Sequence, residues 1–121
     1  MNEVEFWALN RTALVIRPKQ PYIDWANSQE DDGTKLSLRE QDREFTIYLV
    51  EEFNSDLDPG PALQKHYSSI FEQELAGWHR DPSAWPGKRS LQTFMEWFDV
   101  EMHSMVVDLA EIPLEVEWFA G

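Results

Sequence analysis

Three side chains in this chain have the types and the spacing to do chemistry together: Glu74, Glu101 and His103. Glu101 and His103 lie two positions apart, which in an extended strand projects them from the same face. A carboxylate and an imidazole so placed pair, share a proton or bind a metal. Glu74 falls in a stretch of helical periodicity, one turn beyond Ile70 and one turn before Trp78, on the face those apolar residues mark. Desolvation there raises a carboxyl pKa and makes the group a candidate general acid or base, whereas a protonated histidine nearby lowers it. If the helix crosses the strand, the three groups converge on one pocket, and two carboxylates with a histidine also suit a divalent metal. The spacing matches no strong metal signature, with no H-E-x-x-H, no calcium loop and no helix face bearing two histidines. The plainer alternative gives Glu74 a structural arginine partner such as Arg17, or a route to the helix edge. It also gives His103 a hydrogen bond within the core and leaves Glu101 at a solvated rim.

A second candidate is the turn Arg17-Pro18-Lys19-Gln20-Pro21, which sets two cations beside a helix N-terminus. Free N–H groups and the helix dipole attract anions there, so Arg17 and Lys19 form a candidate anion-binding pair. The alternative is that they neutralise neighbouring carboxylates such as Asp24. Lys88-Arg89-Ser90 is a weaker version of the same arrangement. No glycine-rich loop accompanies either turn, and no G-x-S-x-G exists for nucleophilic catalysis. His66 and His79 stand at opposite ends of the long helical stretch, too far apart to share a ligand.

The elements that must position these groups follow from periodicity. Val100 to Leu109 reads as a strand with both faces largely apolar, and therefore as the central strand of a sheet under helices. Thr12 to Arg17 reads as another, ended by Pro18, which has no N–H for the ladder. Pro21 suits a helix's first turn, and Tyr22, Ile23, Trp25 and Ala26 supply its packing surface up to Asn27-Ser28-Gln29. Ser37-Leu38-Arg39-Glu40 matches a capping box and predicts a short helix over Leu38 to Arg43. Glu44 to Glu51 reads as a strand, and Ala62 to Trp78 as the long helix, with Leu63, Tyr67, Ile70, Phe71 and Trp78 on one face. Asp81 to Gly87 reads as a cap, one helical turn and a break. Leu91 to Phe98 reads as a last helix with Leu91, Phe94, Met95 and Phe98 buried. The tail from Glu111 to Gly121 interleaves acidic and apolar residues, as a short edge strand or a docking segment. The expectation is one α/β or α+β domain over residues 1–121, with a single-layer sheet of three or four strands flanked by helices in the order β-α-(short α)-β-α-α-β.

The totals bound the function. The chain carries a formal charge of −13 with six tryptophans and seven phenylalanines. Phosphate contact requires Lys and Arg, so this charge disfavours nucleic acid and anionic membrane and favours a basic partner protein, or solubility alone. No cysteine is present, which excludes disulfides, thiol catalysis and cysteine-ligated zinc. The stretch Met1 to Glu5 is acidic where a secretory signal is basic, and no apolar run approaches the ~18 residues of a membrane span. A cytoplasmic location is the expectation.

Asn10-Arg11-Thr12, then Arg17-Pro18-Lys19-Gln20-Pro21 with Asp24-Trp25, together with Trp85-Pro86, Lys88-Arg89 and Trp97-Phe98-Asp99-Val100-Glu101 through His103-Ser104-Met105-Val106, resembles an uncharacterised bacterial family of small acidic proteins with no assigned function. The resemblance spans Asn10 to Leu109. It implies a bacterial source and carries over no catalytic residue and no cofactor. The residues then favour a non-catalytic interaction or regulatory protein meeting a basic partner. The competing readings are a small enzyme or metal-binding protein using Glu74, Glu101 and His103, and an anion binder at Arg17 and Lys19.

Overall fold

The computed structural model describes residues 7–29, 45–52 and 58–118. The short helix expected over Leu38 to Arg43, with its capping box, lies outside them. The domain mixes helices with two small antiparallel sheets, β1 (Trp7–Ala8) with β5 (Val107–Asp108), and a three-stranded sheet in the order β3 (Thr46–Val50), β2 (Thr12–Pro18), β4 (Phe98–His103). Three helices are described, α1 (Gln20–Ser28), α2 (Gly60–Trp78) and α3 (Leu91–Trp97), with a 3-10 turn at Pro82–Ala84.

β2 is the central strand: its successive apolar residues Ala13-Leu14-Val15-Ile16 are all buried, whereas Ile47 and Leu49 in the apolar run of β3 are exposed. Its partners are set by register: Leu14 lies opposite Tyr48 and Met102, Val15 opposite Ile47 and Glu101, and Ile16 opposite Thr46 and Val100. Alternation then sorts the sheet into two faces. Leu14, Ile16, Val50 and Phe98 belong to the main core, with Tyr48, Val100 and Met102 packed against it. Ala13, Val15, Ile47, Leu49, Glu101 and His103 occupy the opposite, outer face.

All three helices contribute to the inner face. Tyr22, Ile23 and Ala26 come from α1, Leu63, Ile70, Phe71 and Leu75 from α2, and Phe94 from α3. Phe71 anchors the aromatic centre, with ring centroids 5.8 Å from Phe94, 5.6 Å from Trp97 and 5.5 Å from Phe98. Such edge and tilted contacts add to the area these rings bury. Three indoles tie the layer to its connections: Trp25 donates to the Ala84 carbonyl, Trp78 to Ala26 and Trp85 to His79, at 2.9, 2.9 and 2.7 Å. The caps are local. Pro21 sits in the first turn of α1, Asp81 accepts from the Ser83 N–H at 3.0 Å, and the Ser90 hydroxyl accepts from the Thr93 N–H at 3.2 Å.

The expected central strand over Val100 to Leu109 is corrected. The ladder runs only from Phe98 to His103, pairs with β2 alone, and breaks at Ser104; Val107 and Asp108 then join the separate ribbon with Ala8 and Trp7. The apolar residues on either side of Ser104 do not share a sheet. Asp99, Glu101 and His103, every second residue, are the solvated face of an edge strand. Phe98 likewise opens β4 and caps α3 rather than closing the helix, and Met95 is exposed while Trp97 turns toward the core.

Candidate functional site

Glu74 projects from α2 beside the buried Leu75, one turn beyond the buried Ile70. Its carboxylate accepts a hydrogen bond from the Tyr48 hydroxyl at 2.6 Å, and its backbone carbonyl accepts one from the Tyr22 hydroxyl at 2.9 Å. Burial pushes the Glu74 pKa up, and the hydrogen bonds from Tyr48 and Thr46 pull the other way. Burial, reinforced by the negative charge of Glu74, also pushes both tyrosine hydroxyls above their ordinary range. The result is a short, charge-assisted bond joining α2 to β3 from inside the layer. No buried side-chain nitrogen or oxygen among the described residues lacks a partner.

Glu101 and His103 stand on the other side of the sheet. The imidazole Nε2 lies 2.6 Å from one Glu101 oxygen, and the Arg17 guanidinium lies 3.5 Å from the other. Arg17 also stacks over the Phe45 ring at 4.9 Å. The hydrogen bond to His103, then the charge of Arg17, holds the Glu101 carboxyl below the usual carboxylate range.

The expected pocket of Glu74, Glu101 and His103 is therefore not assembled. Tyr48, the partner of Glu74, lies opposite Leu14; Glu101 lies opposite Val15, the next residue along β2, which points to the other face. Only Glu101 and His103 meet. No group of three or more Asp, Glu or His side chains among the described residues is placed to hold a metal ion, and Arg17 pairs with Glu101 rather than Glu74.

Arg17 and Lys19 are likewise held apart by separate partners. Lys19 Nζ donates to the Met95 carbonyl at 2.8 Å and lies 3.6 Å from Asp99. Its cation thus sits near the C-terminal end of α3, where the dipole favours positive charge. The neutralising carboxylates belong to β4, and Asp24 instead accepts from the Gln20 amide at 2.9 Å. Arg89 caps the Pro86 carbonyl at 2.8 Å and stacks on Trp85 at 5.7 Å. No paired cationic seat for an anion results.

Two features escaped sequence reasoning. Glu51, just past β3, accepts from His66 at 2.8 Å and from Lys65 at 3.4 Å, and chiefly the His66 bond lowers its pKa to about 2. Nothing in the string marks this pairing, because it depends on how β3 lies against α2. Beside it, a shallow cleft of about 240 Å³ runs between Tyr48, Val50, His66, Ser69, Ile70 and Gln73. The second feature is a groove at the end of the molecule beyond β5, in the stretch that the sequence reads as a short edge strand or a docking segment. Residues 109–118 form neither helix nor paired strand, and Leu109, Ile112, Leu114, Val116 and Trp118 are all exposed, Val116 at 93%. With Trp7 and Leu9 this segment walls a groove of about 370 Å³, carrying Asp108 and Glu111 among apolar side chains. Of the two expectations for Glu111 to Gly121, the short edge strand is not formed over the described residues.

No helix of the described residues is long and apolar enough to cross a membrane. No family model matches the chain, and neither a curated protein nor a solved structure matches it.

Proposed function

We propose that this protein is a non-catalytic interaction or regulatory protein of the bacterial cytoplasm that docks onto a basic partner protein. The observation that carries this reading is the end region, where Leu109, Ile112, Leu114, Val116 and Trp118 are exposed among Glu111, Glu115 and Glu117. Contiguous exposed apolar side chains mark interaction sites, and acidic neighbours select against acidic partners. The charge of −13 would steer a cationic protein toward this surface and repel nucleic acid and anionic lipid. The enzyme alternative loses its basis because Glu74 lies on the inner face of the sheet while Glu101 and His103 lie on the outer. The anion-binding alternative loses its own because Arg17 and Lys19 each already face a carboxylate.

The test is capture from the native host on the immobilised full chain at about 50 mM salt, where the Debye length exceeds ~10 Å. Bound proteins are identified by mass spectrometry and the capture is repeated at about 1 M salt, where screening shortens that length to ~3 Å. The expected result is enrichment of proteins of basic isoelectric point that are lost at high salt. Enrichment of acidic proteins, or capture indifferent to salt, would contradict the reading.

A further inference from the structure

The groove at the end of the molecule combines apolar walls with the carboxylates of Asp108 and Glu111. One wall is Trp7 and Leu9, from β1 and the residue after it; the other is Ile112, Pro113 and Leu114, which follow β5. The β1–β5 ribbon holds the two walls together, with Trp7 opposite Asp108 and Ala8 opposite Val107, and the Leu9 N–H donating to the Val106 carbonyl at 2.8 Å. Asp108 also fixes the turn into the second wall by accepting from the Ala110 N–H at 2.9 Å. The base of the groove is thus tied down by backbone pairing, while Trp7, 74% exposed, and Ile112, 75% exposed, leave its lips open.

We propose that this groove seats a segment of the basic partner in which an aliphatic side chain is flanked by lysine or arginine. This rests on the interaction reading above and gives it a location. The aliphatic group would fill the space between Trp7 and Leu114, and the flanking cations would meet Asp108 and Glu111 of the lining, with the exposed Glu115 and Glu117 following along the chain. Alternation in Leu114-Glu115-Val116-Glu117-Trp118 matches a partner that also alternates apolar and cationic residues. Charge decides among possible occupants. A second copy of this chain would bring the same acidic rim against itself with −13 on each molecule, and an anionic lipid surface would meet the same repulsion. A cationic segment with an apolar anchor satisfies both the walls and the rim.

The test uses the indole N–H resonances of the full chain, labelled with nitrogen-15. Trp25, Trp78 and Trp85 donate to backbone carbonyls inside the fold and serve as internal references. Trp7, which lines the groove, reports on the proposed seat, and Trp118, 83% exposed four residues beyond the lining Leu114, reports on the chain that follows it. The probe is a capped peptide alternating lysine with leucine, and its control is the same peptide with glutamate for lysine. The expected result is saturable movement of the Trp7 and Trp118 signals with the lysine peptide alone, while the three references stay still. Leu114→Ser, at an exposed position, is expected to weaken binding about tenfold, and Glu111→Lys to weaken it further, with the reference signals confirming that each variant is folded. Movement of the reference signals alone, equal binding of the glutamate peptide, no effect of either variant, or no saturable binding would overturn the proposal. So would a concentration-dependent Trp7 shift without peptide, which would make a second copy the occupant. If the groove fails in this way while salt-sensitive capture of a basic protein persists, the interaction reading stands and its surface lies elsewhere.

Discussion

The two faces of the three-stranded sheet hold carboxylates in opposite conditions. On the inner face Glu74 is half-buried between α2 and β3, its pKa is raised by burial, and its closest partner is a neutral hydroxyl. On the outer face Glu101 is in water, its pKa is lowered, and its partners are an imidazole and a guanidinium. Both residues stood out in the sequence for the same reason, a carboxyl in an apolar neighbourhood. The difference between them is made by one backbone alternation, which turns Leu14 inward and Val15 outward. A list of polar residues on apolar elements is therefore not a site until the register has sorted it.

The largest effect that sharpens this contrast is in packing. Phe98→Ala, removing a fully buried ring in contact with Phe71, Phe94 and Tyr22, is expected to cost about 3–5 kcal/mol by urea denaturation. Ile47→Thr, at a position 57% exposed on the outer face, is expected to change stability by about 0.5 kcal/mol or less. Comparable losses at the two positions would break the comparison, because they would show the outer face to be as tightly packed as the inner.

Next in size is Tyr48→Phe, which leaves a Glu74 oxygen without its Tyr48 donor in a half-buried setting. The expected loss is about 1–3 kcal/mol at neutral pH, with the Glu74 carboxyl titrating higher still by carbon-13 NMR. An unchanged titration would mean that the hydroxyl does not support the charge.

The pH dependences of the two carboxyls are expected to run in opposite senses. A carboxyl whose native pKa is raised keeps its proton after the unfolded chain has lost its own. The contribution of Glu74 is thus fully present below the ordinary carboxylate pKa and declines as pH rises through its native value. Glu74→Gln should remove that decline, so the variant gains on the wild type as pH rises from the acid side toward neutrality. For Glu101 the sign is reversed: its contribution is present above the ordinary carboxylate pKa and is lost as pH falls through the lowered native value. Glu101→Gln should flatten only the acid limb, and by the smallest amount of the series, because water screens the pair. Thermal melts of both variants across the acid range measure the two signs, and a common sign would refute the assignment of faces.

Much of the architecture was legible in the residues, and what was missed has one physical cause. β2, α1 and α2 could be read because each carries its own period: four consecutive apolar positions before Pro18, Pro21 ahead of an apolar face, and the spacing from Leu63 to Trp78. The stretch after Phe98 misled because Met102, Met105, Val106 and Leu109 look alike as letters, yet the ladder holding Met102 ends before Ser104 and only Val107 and Asp108 pair beyond it, in another sheet. The Glu51–His66 pair, the Tyr48–Glu74 bond and the groove beside Trp7 all join segments far apart in the chain. Their formation depends on register and on the angle at which α2 crosses the sheet, and neither is written in local periodicity. Cations that looked poised for an anion, Arg17 and Lys19, were claimed by Glu101 and Asp99 for the same reason.

The central claim is that this protein works through its acidic, apolar-lined end rather than through a cleft in its sheet. Hydrogen–deuterium exchange on the purified complex with the captured partner tests it most directly. Slowed exchange over 107–118 and at Leu9, lost when salt dissociates the complex, is the result expected. Protection confined to β3 and the first turns of α2, beside His66, with the end region exchanging as freely as in the isolated chain, would contradict it.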